Sequence, residues 1–259
     1  VKRNKANHDD EDAGGVDSDY RSKNTTIQYN YLHDNDFGLL VTGGPGRFND
    51  NTILRYNIIE RDGLIARKGS DAKFTLRFSG SATNTFFHNN IVYLAPEQSN
   101  TKVSFHKSWS GSSPKKTFYY NNIFYVEAPG GSYSMGSSQE NTFSNNIYFG
   151  QTVANSPSDA NGITSNPMLS DPGSGFQGYK IEEASPAVGA GARIETIPEY
   201  DLYDHLIDHQ APIDIGVHQL SQAVALSSFG LAEESIKVFP NPMVADYLTV
   251  QLQGGIHQL

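Results

Sequence analysis

The 259-residue sequence predicts an all-β chain wound as a right-handed parallel β-helix, a solenoid with a C-terminal cap and a truncated β-sandwich tail. Three observations carry that expectation. An Asn-Thr-to-Asn segment recurs five times, apolar and polar residues alternate inside each copy, and the composition favours strands and tight turns over long helices.

The repeat comes first. Asn24-Thr25-Thr26-Ile27-Gln28-Tyr29-Asn30-Tyr31 returns as Asn51-Thr52-Ile53-Leu54-Arg55-Tyr56-Asn57-Ile58 and as Asn84-Thr85-Phe86-Phe87-His88-Asn89-Asn90-Ile91. Weaker copies are Lys116-Thr117-Phe118-Tyr119-Tyr120-Asn121-Asn122-Ile123 and the shortened Asn141-Thr142-Phe143-Ser144-Asn145-Asn146-Ile147. Aligning Asn30, Asn57, Asn90, Asn122 and Asn146 gives spacings of 27, 33, 32 and 24 residues, a solenoid with insertions. Each period holds two or three short strands, and coils stacked about 4.8 Å apart set the asparagines in a ladder. Leucine-rich repeats need several leucines per unit and propeller blades about 40 residues, and neither pattern is present.

Alternation is clearest at Ile27, Tyr29 and Tyr31, which makes each copy a strand with one face inward. Glycine (24), tyrosine (14) and phenylalanine (14) are abundant while methionine (3) is scarce, which fits strands and turns. On this basis residues 1–154 form the coils. The repeat stops in residues 155–221, where Asp171-Pro172, Ser185-Pro186-Ala187 and Asp214-Ile215-Gly216 suggest a cap over the last rung. Residues 222–234 read as a linker and 235–259 as a separate tail.

The segment from Asp12 to Gly150 resembles right-handed parallel β-helix proteins of the pectate-lyase-like superfamily. The match is best where Ala13-Gly14-Gly15-Val16-Asp17-Ser18-Asp19-Tyr20 runs into the first repeat, in a form similar to carbohydrate-active proteins of Bacteroidetes. The tail, Ser235-Ile236-Lys237-Val238-Phe239-Pro240-Asn241-Pro242 leading to Tyr247-Leu248-Thr249-Val250, resembles the start of a type IX secretion C-terminal sorting domain. These resemblances imply a secreted or cell-surface protein acting on polysaccharide and handled by the type IX secretion machinery. The absence of an initiator methionine and of an apolar leader in Val1–His8 adds the expectation of a longer precursor.

Composition removes other classes. A net charge of −9 with no basic run argues against nucleic acid or an anionic membrane as partner. No apolar run approaches the roughly 18 residues of a membrane span. Zero cysteines exclude a disulfide framework and thiolate metal sites. No phosphate loop, H-E-x-x-H or G-x-S-x-G motif occurs.

Chemistry is expected where acids crowd. His8-Asp9-Asp10-Glu11-Asp12 precedes Asp17 and Asp19, and His33-Asp34-Asn35-Asp36 follows about one coil later. Carboxylates from Asp17, Asp19 and Asp36 could converge within roughly 5 to 9 Å, as the acid and base of a glycoside hydrolase require. The same residue types also cap turns. A Ca²⁺ site built on Asp10, Asp12 and Asp34 is the alternative use of these oxygens, and it would suit a calcium-assisted lyase on an acidic glycan. The superfamily's lyases use lysine or arginine as base, which makes Arg67, Lys68, Arg77, His106 and Lys107 candidates. Arg77, His106, Lys107 and the only tryptophan, Trp109, are the expected substrate contacts. His88 lies inside a repeat strand and is expected to belong to the stack. A non-catalytic adhesin or glycan-binding solenoid is the reading from a different class.

Overall fold

A computed structural model describes residues 14–44, 46–64, 73–151 and 155–220, and the backbone of three strands between residues 237 and 258. Chain contacts divide into two units, Val1–Ser221 and Gln222–Leu259. The first is a stack of parallel sheets, compatible with a β-helix solenoid, and contains no α-helix among the described residues.

One sheet consists of β1 (Gly14–Ser18), β5 (Phe37–Gly43), β9 (Phe74–Gly80), β12 (Lys102–Lys107) and β15 (Ser132–Ser134). A second holds β2 (Ser22–Lys23), β3 (Thr26–Gln28), β6 (Asn49–Asp50), β7 (Ile53–Arg55), β10 (Ala82–His88), β13 (Lys115–Tyr120) and β16 (Thr142–Ser144). The third holds β4 (Tyr31–His33), β8 (Ile58–Glu60), β11 (Ile91–Leu94), β14 (Ile123–Val126) and β17 (Ile147–Gly150). Neighbouring strands pair in parallel, with Tyr31, Ile58, Ile91, Ile123 and Ile147 in register.

The repeat motif encodes the corners. Asn24, Asn51, Asn84, Lys116 and Glu140 are left-handed, and so are Tyr29, Tyr56, Asn89, Asn121 and Asn145, all with φ from +51 to +59°. Asparagine tolerates this region better than most residues, which explains its frequency at the bends. Directly after the second bend, the ladder asparagines hydrogen-bond along the stack. Asn30 donates its amide to Asn57 at 2.9 Å, Asn57 to Asn90 at 2.9 Å, Asn90 to Asn122 at 3.1 Å and Asn122 to Asn146 at 2.9 Å. The row ends on Asp159, which accepts from both the backbone and side-chain N–H of Asn146.

Alternation then sorts the apolar residues. Leu32, Ile59, Val92, Phe124 and Tyr148 fill the solenoid interior with Leu39, Leu76, Phe78, Phe87, Phe105 and Tyr119. The isoleucines that follow the ladder asparagines point the other way. Ile58, Ile91, Ile123 and Ile147 are buried against Leu169, Tyr179, Ile181, Ala187, Ile213, Ile215 and Val217. Residues 159–163 pair with the last rung through Ile163 and Ile147, and the chain then runs back along the flank. His88 Nε2 meets Thr196 Oγ1 at 3.0 Å and Tyr29 donates its hydroxyl to the Tyr200 carbonyl at 2.6 Å. His88 is fully buried, and burial pushes its pKa down to about 4, a neutral member of the stack.

A shorter ladder joins Asn35 to Asp62, whose Oδ1 accepts both N–H groups of Asn35 at 2.8 and 2.9 Å. Burial pushes the Asp62 carboxyl up to about 7, against the lowering effect of those bonds. Its folded pKa stands above the unfolded value near 3.9. The folded state therefore binds more protons between the two values, and stability falls as pH rises from about 4 to 7. Asp62→Asn is expected to flatten that slope in urea melts run across the window. An unchanged slope would assign the dependence elsewhere.

In the second unit β18 (Lys237–Phe239), β19 (Thr249–Leu252) and β20 (Gly255–Gln258) form a three-stranded antiparallel sheet.

Candidate functional site

Among the described residues, a developed surface feature surrounds the sole tryptophan. After β12 the chain makes a tight hairpin in which Trp109 and Ser112 exchange backbone hydrogen bonds at 2.8 and 3.0 Å. Ser110 and Gly111 between them have φ of 45 and 80°, as a two-residue turn of this hand requires. Ser108 and Ser113 hydroxyls close the base of the hairpin at 2.7 Å.

The turn holds the indole against bare backbone. A Cβ on Gly80 would lie 3.5 Å from the Trp109 ring and only 1.8 Å from the Gly43 carbonyl, and one on Gly44 would lie 3.0 Å from the Tyr20 ring. Glycine is therefore required where the aromatic pair settles. Tyr20 and Trp109 have ring centroids 6.3 Å apart, and the Arg47 guanidinium stacks 4.3 Å over Tyr20. Trp109 remains 40 % exposed, so a large aromatic face is presented to solvent on a fixed support. Beside it opens a cleft of about 530 Å³ lined by Ser81, Thr83, Ser112, Ser113, Lys115 and Gln139. Hydroxyl, amide and ammonium groups thus line a cleft next to the hairpin that carries the indole.

The acids expected to act together are placed unequally. Asp17 and Asp19 are both exposed and two residues apart at the end of β1, next to Tyr20. Asp19 Oδ1 accepts the Tyr20 N–H at 2.7 Å, the turn-capping role that its residue type also predicted. Asp36 is buried, only 5 % exposed. Register pairs Gly14 with Phe37 and Asp17 with Leu40. Asp36 therefore stands four positions from the partner of Asp17, roughly 13 Å along the strand, and the register does not bring them together.

The other candidates divide similarly. Asp34 is held by Arg61 at 3.0 and 3.2 Å and by His33 at 3.0 Å. Burial alone would raise its pKa, but these partners outweigh burial and hold it below the usual value. Asp10, Asp12, Arg67 and Lys68 lie outside the described residues. Arg77 is aligned with Leu40, itself aligned with Asp17, and its guanidinium sits 3.4 Å over the Phe74 ring, 6 % exposed. His106 is 2 % exposed, with Nδ1 2.8 Å from the Met135 carbonyl and Nε2 3.1 Å from the Tyr119 hydroxyl. Burial pushes its pKa down to about 4. Lys107 stays exposed, in register with Ser79. Of the expected substrate contacts, Trp109 and Lys107 face solvent, whereas Arg77 and His106 do not.

Sequence reasoning missed Tyr20, Arg47, Lys115 and Gln139. The available signal was Trp109-Ser110-Gly111-Ser112, whose central Ser-Gly marks a tight hairpin, together with Gly43-Gly44 and Gly80. Among the described residues no helix is long and apolar enough to cross a membrane. Comparison with protein-family models and with curated proteins returns no match.

Proposed function

We propose that the solenoid is a carbohydrate-active protein that lays a polysaccharide across Trp109 and Tyr20 and hydrolyses it with Asp17 and Asp19. The observation that carries the reading is the exposed indole seated on glycine backbone beside a polar cleft. Sugar C–H faces pack on aromatic rings, and serine, threonine and glutamine side chains match sugar hydroxyls.

The two acids supply the chemistry. Residues two apart in extended chain lie about 7 Å apart, within the carboxyl separation an inverting glycosidase uses to fit a water. One carboxyl protonates the leaving oxygen while the other draws a proton from that water. Asp36 is left out of this pair because it is buried and displaced along the strand. The lyase reading is weaker, since burial withdraws Arg77 and His106 and leaves Lys107 as its surface base. We include export in the proposal on the strength of the resemblance of Lys237-Val238-Phe239-Pro240-Asn241-Pro242 to a type IX sorting segment.

Reducing-end release and the ultraviolet absorbance of unsaturated uronate, measured across a polysaccharide panel, test the reaction. New reducing ends without absorbance are expected, with kcat lowered about 10² to 10⁴-fold in Asp17→Asn and Asp19→Asn. Trp109→Ala is expected to weaken glycan binding about tenfold, roughly the 1.4 kcal/mol of one aromatic contact. Binding without product would leave a glycan-binding solenoid. Absorbance would move the reaction to elimination.

A further inference from the structure

Away from the Trp109 cleft, three potential metal ligands meet on the flank of the solenoid. One ligand atom from each of Asp201, His205 and His218 lies within 4.8 Å of the other two. Asp201 and His218 are 2 % and 6 % exposed, and the two imidazole centroids stand 5.2 Å apart. Backbone N–H groups hold the ligand side chains. Asp201 Oδ1 accepts the N–H of Tyr203 at 2.7 Å and of His205 at 2.9 Å. Its Oδ2 accepts the Gln219 N–H at 2.8 Å and faces His205 Nδ1 at 3.1 Å. His218 Nδ1 faces the Ile181 N–H at 3.2 Å.

The geometry points to a structural site for a borderline transition metal of the Zn²⁺ class, held by Asp201, His205 and His218. Two imidazoles and a carboxylate are ligands that zinc favours and that calcium does not. The backbone donors on Asp201 fix its carboxylate without occupying all of its lone pairs, so the contacts to be exchanged are those of the two imidazoles. Metal takes the place of the Nδ1 proton facing Asp201, and that proton moves to Nε2, on a side chain 37 % exposed. His218 gives up its long contact with Ile181 in either mode, because Nδ1 then either binds the metal or carries the proton. Tetrahedral zinc needs ligand atoms roughly 3.3 Å apart, so the Asp201–His205 pair at 3.1 Å is already near that spacing and no pair has to close by more than about 1.5 Å.

The site also joins distant pieces of chain. Tyr200, next to Asp201, accepts the hydroxyl of Tyr29 in the first coil, while His218 follows the strip that covers the isoleucines. A metal here would staple Asp201 and His205 to His218 within the returning segment.

The test uses the full chain stripped with chelator and titrated calorimetrically with Zn²⁺, with Ca²⁺ as the control cation. One zinc per chain is expected, and the melting midpoint should rise about 5 °C at a hundredfold excess over Kd. His205→Ala, at a partly exposed position, should lose both effects, and His209→Ala, at an exposed neighbouring position, should keep both. Co²⁺ should give the visible bands of a tetrahedral nitrogen–oxygen site in the native chain only. Absence of zinc binding, or equal binding by His205→Ala, would overturn the proposal whatever the chain does to glycans.

Discussion

Asn90→Ala is expected to destabilise the solenoid by about 3 kcal/mol or more, read as a lower urea midpoint with an unchanged slope. Asn90 stands in the middle of the ladder. Its Oδ1 accepts the backbone and side-chain N–H of Asn57 at 3.0 and 2.9 Å. Its Nδ2 reaches the Leu54 and His88 carbonyls at 2.9 and 3.0 Å and Asn122 Oδ1 at 3.1 Å. Alanine strands donors on the Asn57 coil and acceptors on that coil, its own and the next, all buried, and each orphan costs about 1–3 kcal/mol before relaxation. Asn90→Asp separates charge from connectivity, since it keeps the acceptor and removes the donor. It should fall between wild type and Asn90→Ala only at a pH low enough to protonate the new carboxyl. A loss below 1 kcal/mol for Asn90→Ala would mean that water replaces the side chain.

Phe105→Ala is expected to cost about 3–5 kcal/mol in the same measurement. Phe105 is fully buried and lies at the hub of the aromatic interior. Its ring meets Tyr119 at 5.0 Å, Phe143 at 5.1 Å, Phe124 at 5.4 Å and Tyr133 at 6.1 Å. Those partners belong to three different sheets, so removing the ring opens a cavity no single strand can close. Phe105→Leu should recover more than half of the loss, because most of the apolar volume returns. Equal losses in the two variants would point to ring geometry and not volume as the decisive term.

Much of the fold could be read from the sequence because its rules are local. An asparagine that bends the chain and another that reaches the next coil must recur in every turn, so Asn24 and Asn30 leave copies at Asn51 and Asn57. Period-two alternation then assigns Leu32 and its successors to the interior. It fails where the pairing is irregular. Between Val103 and His106 the register of β12 against β9 shifts, and His106 is turned toward Tyr119 although counting from Val103 places it outside. Arg77 was misjudged for another reason: it lies in the outward row with Asp17, and that row is buried beyond its first member. Trp109 was legible as the only tryptophan, open alike to a sugar platform and to a buried anchor of its loop, but Tyr20 and Arg47 join it only through the superposition of coils. The Asp201, His205 and His218 cluster depends on a return of the chain that no repeat announces.

Every side-chain-to-side-chain bond in the long row runs in one direction, from an amide N–H to the amide oxygen on the next coil toward the C-terminus. The stack therefore has a head and a tail that are chemically different, much as a sentence has a full stop. Asp159 is that stop: it receives from Asn146 and hands nothing onward, since a carboxylate has no hydrogen to give. Asp62 closes the shorter row in the same way while the coils run on beyond it, so an aspartate ends a row of amides without ending the winding.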